Sequence, residues 1–310
     1  MRWGIVYPIL RRINIELNKS FPELVKPDVM KLQISDFNFF LIVLSTILIA
    51  AAGYIINDYF DVKLDRINKP NALLIDKAIK RRFAMASHIV LNVAGILLGT
   101  YVSYKIGLWK LSVIFPLCAS ALWFYSTNFK RQLITGNLLI AFLTALVPLI
   151  AGGTDVALIV QKYYFINGKF GINFNNISYF ILGFAFFAFI VTLIREIIKD
   201  IEDSEGDTAY GCNTIPIAWG ITSAKNIALG ISVITFLCIA YLQYSQYKLH
   251  ATSSFLYLLF FIQLPLLFIM YKINVAKNPK DFTIPARLVK VLMLFGILYA
   301  VVIYASFLNS

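Results

Sequence analysis

LIVLSTILIAAAGYIINDYFDVKLDRIN, residues 41–68, decides the fold class. Its first part carries no charge, and its second places Asp58, Asp61 and Asp65 directly behind that apolar run. A continuous run of this kind reads as a membrane helix, since a membrane-spanning strand would alternate over about ten residues. Seven further stretches repeat the apolar signal, so spans are expected at about 37–56, 86–104, 108–127, 134–151, 178–198, 221–243, 253–273 and 285–307. The composition agrees: 59% of residues are hydrophobic, 14% are charged and the mean hydropathy is +0.75. A water-soluble domain carries about a quarter charged residues. The expected fold is therefore an all-α polytopic membrane protein with eight transmembrane helices.

The acids are not scattered. NDYFDVKLD at 57–65 and REIIKDIEDSEGD at 195–207 hold nine of the sixteen carboxylates, each stretch lying where an apolar segment ends. On a helix Asp58, Asp61 and Asp65 fall at i, i+3 and i+7, and Asp200, Asp203 and Asp207 repeat that spacing. Each trio then lines one helical face. Two such faces make an oxygen-rich pocket suited to a hard cation, and Mg²⁺ favours one or two carboxylates together with substrate phosphate oxygens. Lys63, Lys130, Arg131, Arg195 and Lys199 lie on the same expected side and supply cations for the remaining oxygens of a diphosphate. The alternative is that these acids are plain interfacial residues, and that Lys130 and Arg131 only anchor a helix end.

The net charge of +12 has a topological reading. If the spans alternate, seventeen of the 28 Lys and Arg residues fall in the loops at 57–85, 128–133, 195–225 and 272–290. Five fall in the opposite loops and six in the N-terminal segment. Positively charged loops stay cytoplasmic, so both acidic stretches are expected to face the cytoplasm, in the cytoplasmic membrane of a prokaryote. No nucleic-acid motif accompanies the charge, and no nucleic-acid partner is expected. The three cysteines show neither CxxC nor His/Cys spacing, which points away from disulfides and zinc. Residues 1–36 form an N-terminal segment and residues 37–310 a single membrane domain.

NDYFDVKLD with its NxxxDxxxD spacing, DIEDSEGD with its DxxDxxxD spacing, and YSTNFKRQLITGN at 125–137 resemble the UbiA superfamily of intramembrane prenyltransferases. The resemblance runs from about residue 37 to 310. It implies a helical bundle around a central cavity that opens to the membrane, capped by the two motif loops. It also implies transfer of a prenyl group from a prenyl diphosphate to a lipophilic acceptor, with Mg²⁺ as cofactor and membrane lipid as surroundings. Carried over by position, Asn57, Asp58, Asp61, Asp65, Asp200, Asp203 and Asp207 are the expected metal-holding set, with Asp61 and Asp203 as the central catalytic pair. Tyr125, Lys130 and Arg131 match the loop element expected to meet the diphosphate.

Two departures stand out. After Asn68-Lys69-Pro70 the family commonly carries a further Arg-Pro and a Pro-Ser-Gly-like turn, and here Asn71, Ala72, Leu73 and Leu74 follow. The family usually has nine spans, and WGIVYPI at 3–9 reads as the tail of a first helix whose beginning this chain does not carry. Among the branches of the family, the motifs look most like the one that adds geranylgeranyl to geranylgeranylglyceryl phosphate in ether-lipid synthesis. Aromatic acceptors such as 4-hydroxybenzoate or a naphthoate are the alternative. From another class, a cation transporter or a catalytically inactive membrane scaffold would also hold acids in a membrane. Transport acids more often sit near the bilayer centre, whereas these sit at span ends.

Overall fold

A computed structural model of the chain describes residues 1–20, 31–68, 74–163 and 174–308. With no water in the hydrocarbon to satisfy backbone groups, an apolar chain must close its hydrogen bonds within each segment, and helices do so. Among the described residues there is accordingly no strand, only an isolated bridge between Ile75 and Ile79.

A π-helical turn, Arg2–Val6, leads into α1 (Tyr7–Ser20). Then follow α2 (Asp36–Asn68), α3 (Arg81–Lys105), α4 (Ile114–Thr127) and α5 (Thr135–Lys162). The second half holds α6 (Asn175–Glu202), the short α7 (Ser204–Ala209) and α8 (Ile215–Trp219), and α9 (Ile221–Lys248). It ends with α10 (Thr252–Tyr257), continued through a π-helical turn into α11 (Leu264–Val275), and α12 (Thr283–Leu308).

Each of the eight expected spans falls on helix. Seven are long and apolar enough to cross a membrane, and the protein is an integral membrane protein. The eighth, at 108–127, is shorter: a 3-10 turn at Trp109–Val113 runs into the fourteen residues of α4. Lys69, Pro70 and the departure at Asn71–Leu73 lie outside the described residues.

Helix length explains how the acids reach one another. At 1.5 Å per residue, the 33 residues of α2 are about 50 Å long, well beyond the hydrocarbon thickness of about 30 Å. The last turns of α2 therefore stand clear of the hydrocarbon, and those turns carry Asn57 to Asp65. The 28 residues of α6 overrun in the same way at the end that carries Asp200.

Close approach of α2 and α3 rests on small residues. Ser45 donates to the Gly95 carbonyl at 2.6 Å, and a Cβ on Gly95 would run into Ile49 and the Ser45 carbonyl. The N-terminal turn closes the other face of the bundle, where Ile5, Val6 and Leu10 pack among Ile159 of α5, Ile177 of α6 and Ile303 of α12.

That packing is pinned by a buried ion pair. Arg2, 3% exposed, faces Asp155 Oδ2 at 3.0 Å and Asp36 Oδ1 at 3.1 Å, and donates to the Ile34 carbonyl. Asp155 is fully buried, and its Oδ1 accepts from the backbone N–H groups of Gln33 and Ile34 at 3.2 Å. One arginine thus ties the N-terminal turn, the lead-in to α2 and the far half of α5 together. Removing one partner of such a pair leaves an uncompensated buried charge, at a cost of about 3–5 kcal/mol. Arg2→Ala is expected to lower the thermal midpoint in detergent markedly, while the double variant Arg2→Ala/Asp155→Ala recovers part of the loss; equal midpoints for Arg2→Ala and the parent would refute this role.

Candidate functional site

The overrunning ends of α2 and α6 converge on a cavity of about 220 Å³. From α2 it receives Asn57, Asp58, Asp61 and Asp65; from α6 Glu196, Lys199 and Asp200; and from the corner beyond α6, Asp203 and Asp207. Tyr125 at the end of α4 and Lys130 from the 3-10 turn Phe129–Arg131 complete the wall. The two acidic stretches, more than a hundred residues apart in sequence, share one pocket.

Their pairing is specific. The Lys130 ammonium meets Asp61 Oδ2, and Asn57 Nδ2 donates to the same oxygen at 2.7 Å. Asn137, at the start of α5, donates to Asp200 Oδ2 at 2.7 Å. The Arg195 guanidinium is turned to its neighbour Glu196. Seven carboxylates therefore surround the space with two lysines facing them. Burial pushes the carboxyl of Asp207, outside the spans, up to about 6; Asp203 and Asp61 add to the rise, and Lys130 and Lys199 oppose it.

The donor set suits a hard divalent cation. It is almost all carboxylate oxygen, and the buried Asn57 Oδ1 has no hydrogen-bond partner. Among the described residues no three His, Cys, Asp or Glu side chains already converge as a preformed ion cage. Mg²⁺ rarely asks for one, since it keeps waters and takes part of its shell from substrate phosphate.

Of the residues singled out from sequence, Asn57, Asp58, Asp61, Asp65, Tyr125, Lys130, Lys199, Asp200, Asp203 and Asp207 meet in this pocket. Three are placed differently. Lys63 is exposed and outside the lining, because a residue two positions after Asp61 points to the opposite face of the helix. Arg131 is exposed as well, and it is the backbone carbonyl that engages, accepting from the Asn213 N–H at 2.8 Å. Arg195 lines a neighbouring apolar groove that shares Asn57, Tyr125, Glu196 and Lys199 with the pocket.

The second trio also departs from one continuous helix. The chain leaves α6 after Glu202, Asp203 takes φ −90° and ψ 2°, and α7 restarts at Ser204. This corner is clasped by Asn68, the last residue of α2. Its Nδ2 donates to the Asp203 carbonyl at 3.1 Å, and its Oδ1 accepts from the Gly206 N–H at 3.0 Å. A Cβ at Gly206 would overlap the Asn68 carboxamide. Asn68 thus registers one acidic stretch against the other, and Gly206 leaves it room. The sequence motifs assign a role to neither Asn68 nor Glu196, although spacing holds the signal: Asn68 is three residues past Asp65, and Glu196 four before Asp200.

A family model described as the UbiA prenyltransferase family matches residues 30–290. A digeranylgeranylglyceryl phosphate synthase of Thermococcus sibiricus is 37% identical over 199 residues, which is 64% of this chain and 62% of that protein. The synthase of the same description from Methanosphaera stadtmanae is 33% identical over 218 residues, 70% of this chain and 69% of that one. The chain thus spans under two thirds of the first of these relatives. A UbiA homologue of Archaeoglobus fulgidus, solved bound to DMAPP and Mg²⁺, shares the fold with a TM-score of 0.51 at 16% identity, covering 96% of this chain and 98% of that one.

Two outcomes test the geometry without any turnover. Because the Asp207 carboxyl rises from 3.8 to about 6 on folding, the folded chain holds the extra proton between those values. Stability therefore falls as pH rises through that window and levels off above it. Thermal midpoints in Mg²⁺-free detergent should show this fall, and Asp207→Asn should flatten its share. The clasp predicts non-additivity: Asn68→Ala costs about 1 kcal/mol per lost hydrogen bond, and Gly206→Ala is tolerated better in the Asn68→Ala background than alone.

Proposed function

The chain belongs to the UbiA prenyltransferase family, and from that premise we propose that it is an Mg²⁺-dependent prenyltransferase of ether-lipid synthesis. In this reading it moves a geranylgeranyl group from its diphosphate to geranylgeranylglyceryl phosphate, with the acid pocket on the cytoplasmic side. The observation that carries the proposal is the meeting of two acidic helix ends around one pocket that continues into an apolar groove. A polar head with two negative phosphates and a long apolar tail is the kind of molecule such a combined space accepts. The names borne by the relatives support the acceptor, and the loop charge distribution supports the side.

Asp61 and Asp203 are the central pair, with Asn57, Asp58, Asp65, Asp200 and Asp207 completing the set that would hold Mg²⁺. Bound there, the metal supplies positive charge that offsets the diphosphate and stabilises it as a leaving group. Lys130 and Lys199 take further diphosphate oxygens as point charges, and in this reading the hydroxyl of Tyr125, which lines the same wall, donates to them. The Asp61–Lys130 contact holds the ammonium at the pocket wall before substrate arrives, so little reorganisation is left for the reaction itself. Arg195 lines the head of the groove beside Glu196, and in this reading its guanidinium takes the acceptor's phosphate.

As the acceptor's hydroxyl oxygen bonds to C1 of the donor, the C1–O bond breaks with its electron pair leaving on diphosphate, which also takes the hydroxyl proton. The apolar side chains of Leu122 and Leu143, and Ile49 further down, line the groove and keep water from the electron-poor allylic carbon.

Purified protein with Mg²⁺, geranylgeranyl diphosphate and geranylgeranylglyceryl phosphate is expected to release diphosphate and form the doubly prenylated glyceryl phosphate, read by mass spectrometry. Asp61→Ala and Asp203→Ala should each lower kcat by about a hundredfold or more, and chelation should abolish turnover. Product with 4-hydroxybenzoate alone would reassign the acceptor, and no product with any acceptor would overturn the transferase reading.

A further inference from the structure

Beyond the acid pocket, two further open spaces lie against α5. The apolar groove, about 340 Å³, runs down from the shared residues Asn57, Tyr125, Glu196 and Lys199 to Leu146 and Ile150. Below them lies a second cavity of about 660 Å³, between the Gly107–Leu111 turn and the far half of α5. Leu146 and Ile150 are the two residues that line both spaces. They stand one turn apart on one face of α5, as residues four apart do.

The partition is firmly built on one side and compliant on the other. Ile150 is buried and packs in a cluster with Ile42 of α2 and Val102 of α3. Leu146 is half-buried and meets the edge of that cluster near Ile114. From Ile140, near the groove's head, to Ile150 is a drop of about 15 Å along the helix. A linear isoprenoid entering with its diphosphate among the acids would meet this partition with its far end, and the partition is made of two side chains with free volume behind it.

Resting on the prenyl-transfer reading of the acid pocket, we propose that the donor's tail lies in the groove walled by α2, α4 and α5, and that Leu146 and Ile150 form the stop that sets its length. The wall above the stop selects any prenyl chain, because its apolar side chains distinguish little among isoprene units. The stop discriminates, because a chain one unit longer must displace packed carbon. Trimming Leu146 joins the groove to the lower cavity, and enlarging it shortens the groove.

The test has two arms on full-length protein in detergent with Mg²⁺. In the first, a geranylgeranyl diphosphate carrying a photoreactive group at its far end is crosslinked to the parent protein and the site is mapped by mass spectrometry. Label on residues 146–150 or at Ile114, displaced by unmodified geranylgeranyl diphosphate, is the expected result. Label confined to residues that line neither the groove nor the cleft beyond the stop, or to detergent, overturns the inference. In the second arm, kcat/KM is compared for farnesyl, geranylgeranyl and geranylfarnesyl diphosphates. Leu146→Ala should raise the preference for geranylfarnesyl over geranylgeranyl by about tenfold or more, and Leu146→Phe should turn it toward farnesyl. Leu138→Ala, on the same helix but outside both cavities, should change neither ratio. Unchanged ratios in both Leu146 variants overturn the stop even where turnover is normal. Absence of turnover in the parent with label at the stop would remove the transferase reading and keep the tail site; absence of both removes the two together.

Discussion

Seven carboxylates gathered around a cavity of about 220 Å³ repel one another, and this repulsion is the constraint on which the rest of the structure depends. Two facing lysines balance only part of it. Burial makes the imbalance worse by withholding water, as the raised carboxyl of Asp207 shows. A fold that keeps such a group together must hold the acids in place by other means and leave them something to bind. The means are visible: Lys130 and Asn57 on Asp61, Asn137 on Asp200, and Asn68 clasping the corner at Asp203. On the proposed reading, the remaining negative charge is what would draw a divalent cation into the pocket and, through it, phosphate.

The bilayer dictates where such a pocket can be. A membrane helix has no unpaired backbone to offer, so chemistry in a bundle comes from side chains, and charged ones are least costly at the helix ends. Overlong helices solve the problem here. The surplus turns of α2 and α6 carry the acids past the hydrocarbon, while apolar turns of α2, α4 and α5 line the groove. α2 thereby serves both a polar head and an apolar tail, with α6 completing the first and α4 and α5 the second. The same geometry argues against a transport path, in which charged groups would be distributed toward the bilayer centre. At the far end of the bundle, Arg2 and Asp155 do a purely structural job, joining the N-terminal turn to α5.

Much of this was legible before any coordinates. Apolar run length places all eight spans on helix, and the i, i+3, i+7 spacing of the acids identifies the faces that meet. What spacing does not encode is where a helix stops. The break at Asp203 is a local change of ψ that redirects Asp207 into the pocket, and Asn68 acquires its role only because that corner folds back on it. Lys63 shows the opposite error: sharing a stretch with the acids is not sharing their face. Arg195 shares a side with the diphosphate cations, but its turn of α6 faces the groove. The shortness of α4 is masked because Trp109, Leu111 and Val113 extend its apolar pattern through a turn that also carries Lys110 and Ser112.

The central claim is that both acidic stretches serve one metal-bound diphosphate. Mn²⁺ substituted for Mg²⁺ allows this to be read directly by pulsed electron paramagnetic resonance, with a non-hydrolysable geranylgeranyl thiodiphosphate as ligand. The account predicts a phosphorus coupling to the bound Mn²⁺ that is lost or strongly weakened in Asp61→Asn and, separately, in Asp203→Asn. A coupling that survives either substitution unchanged, or Mn²⁺ bound with no phosphorus nearby, would contradict it.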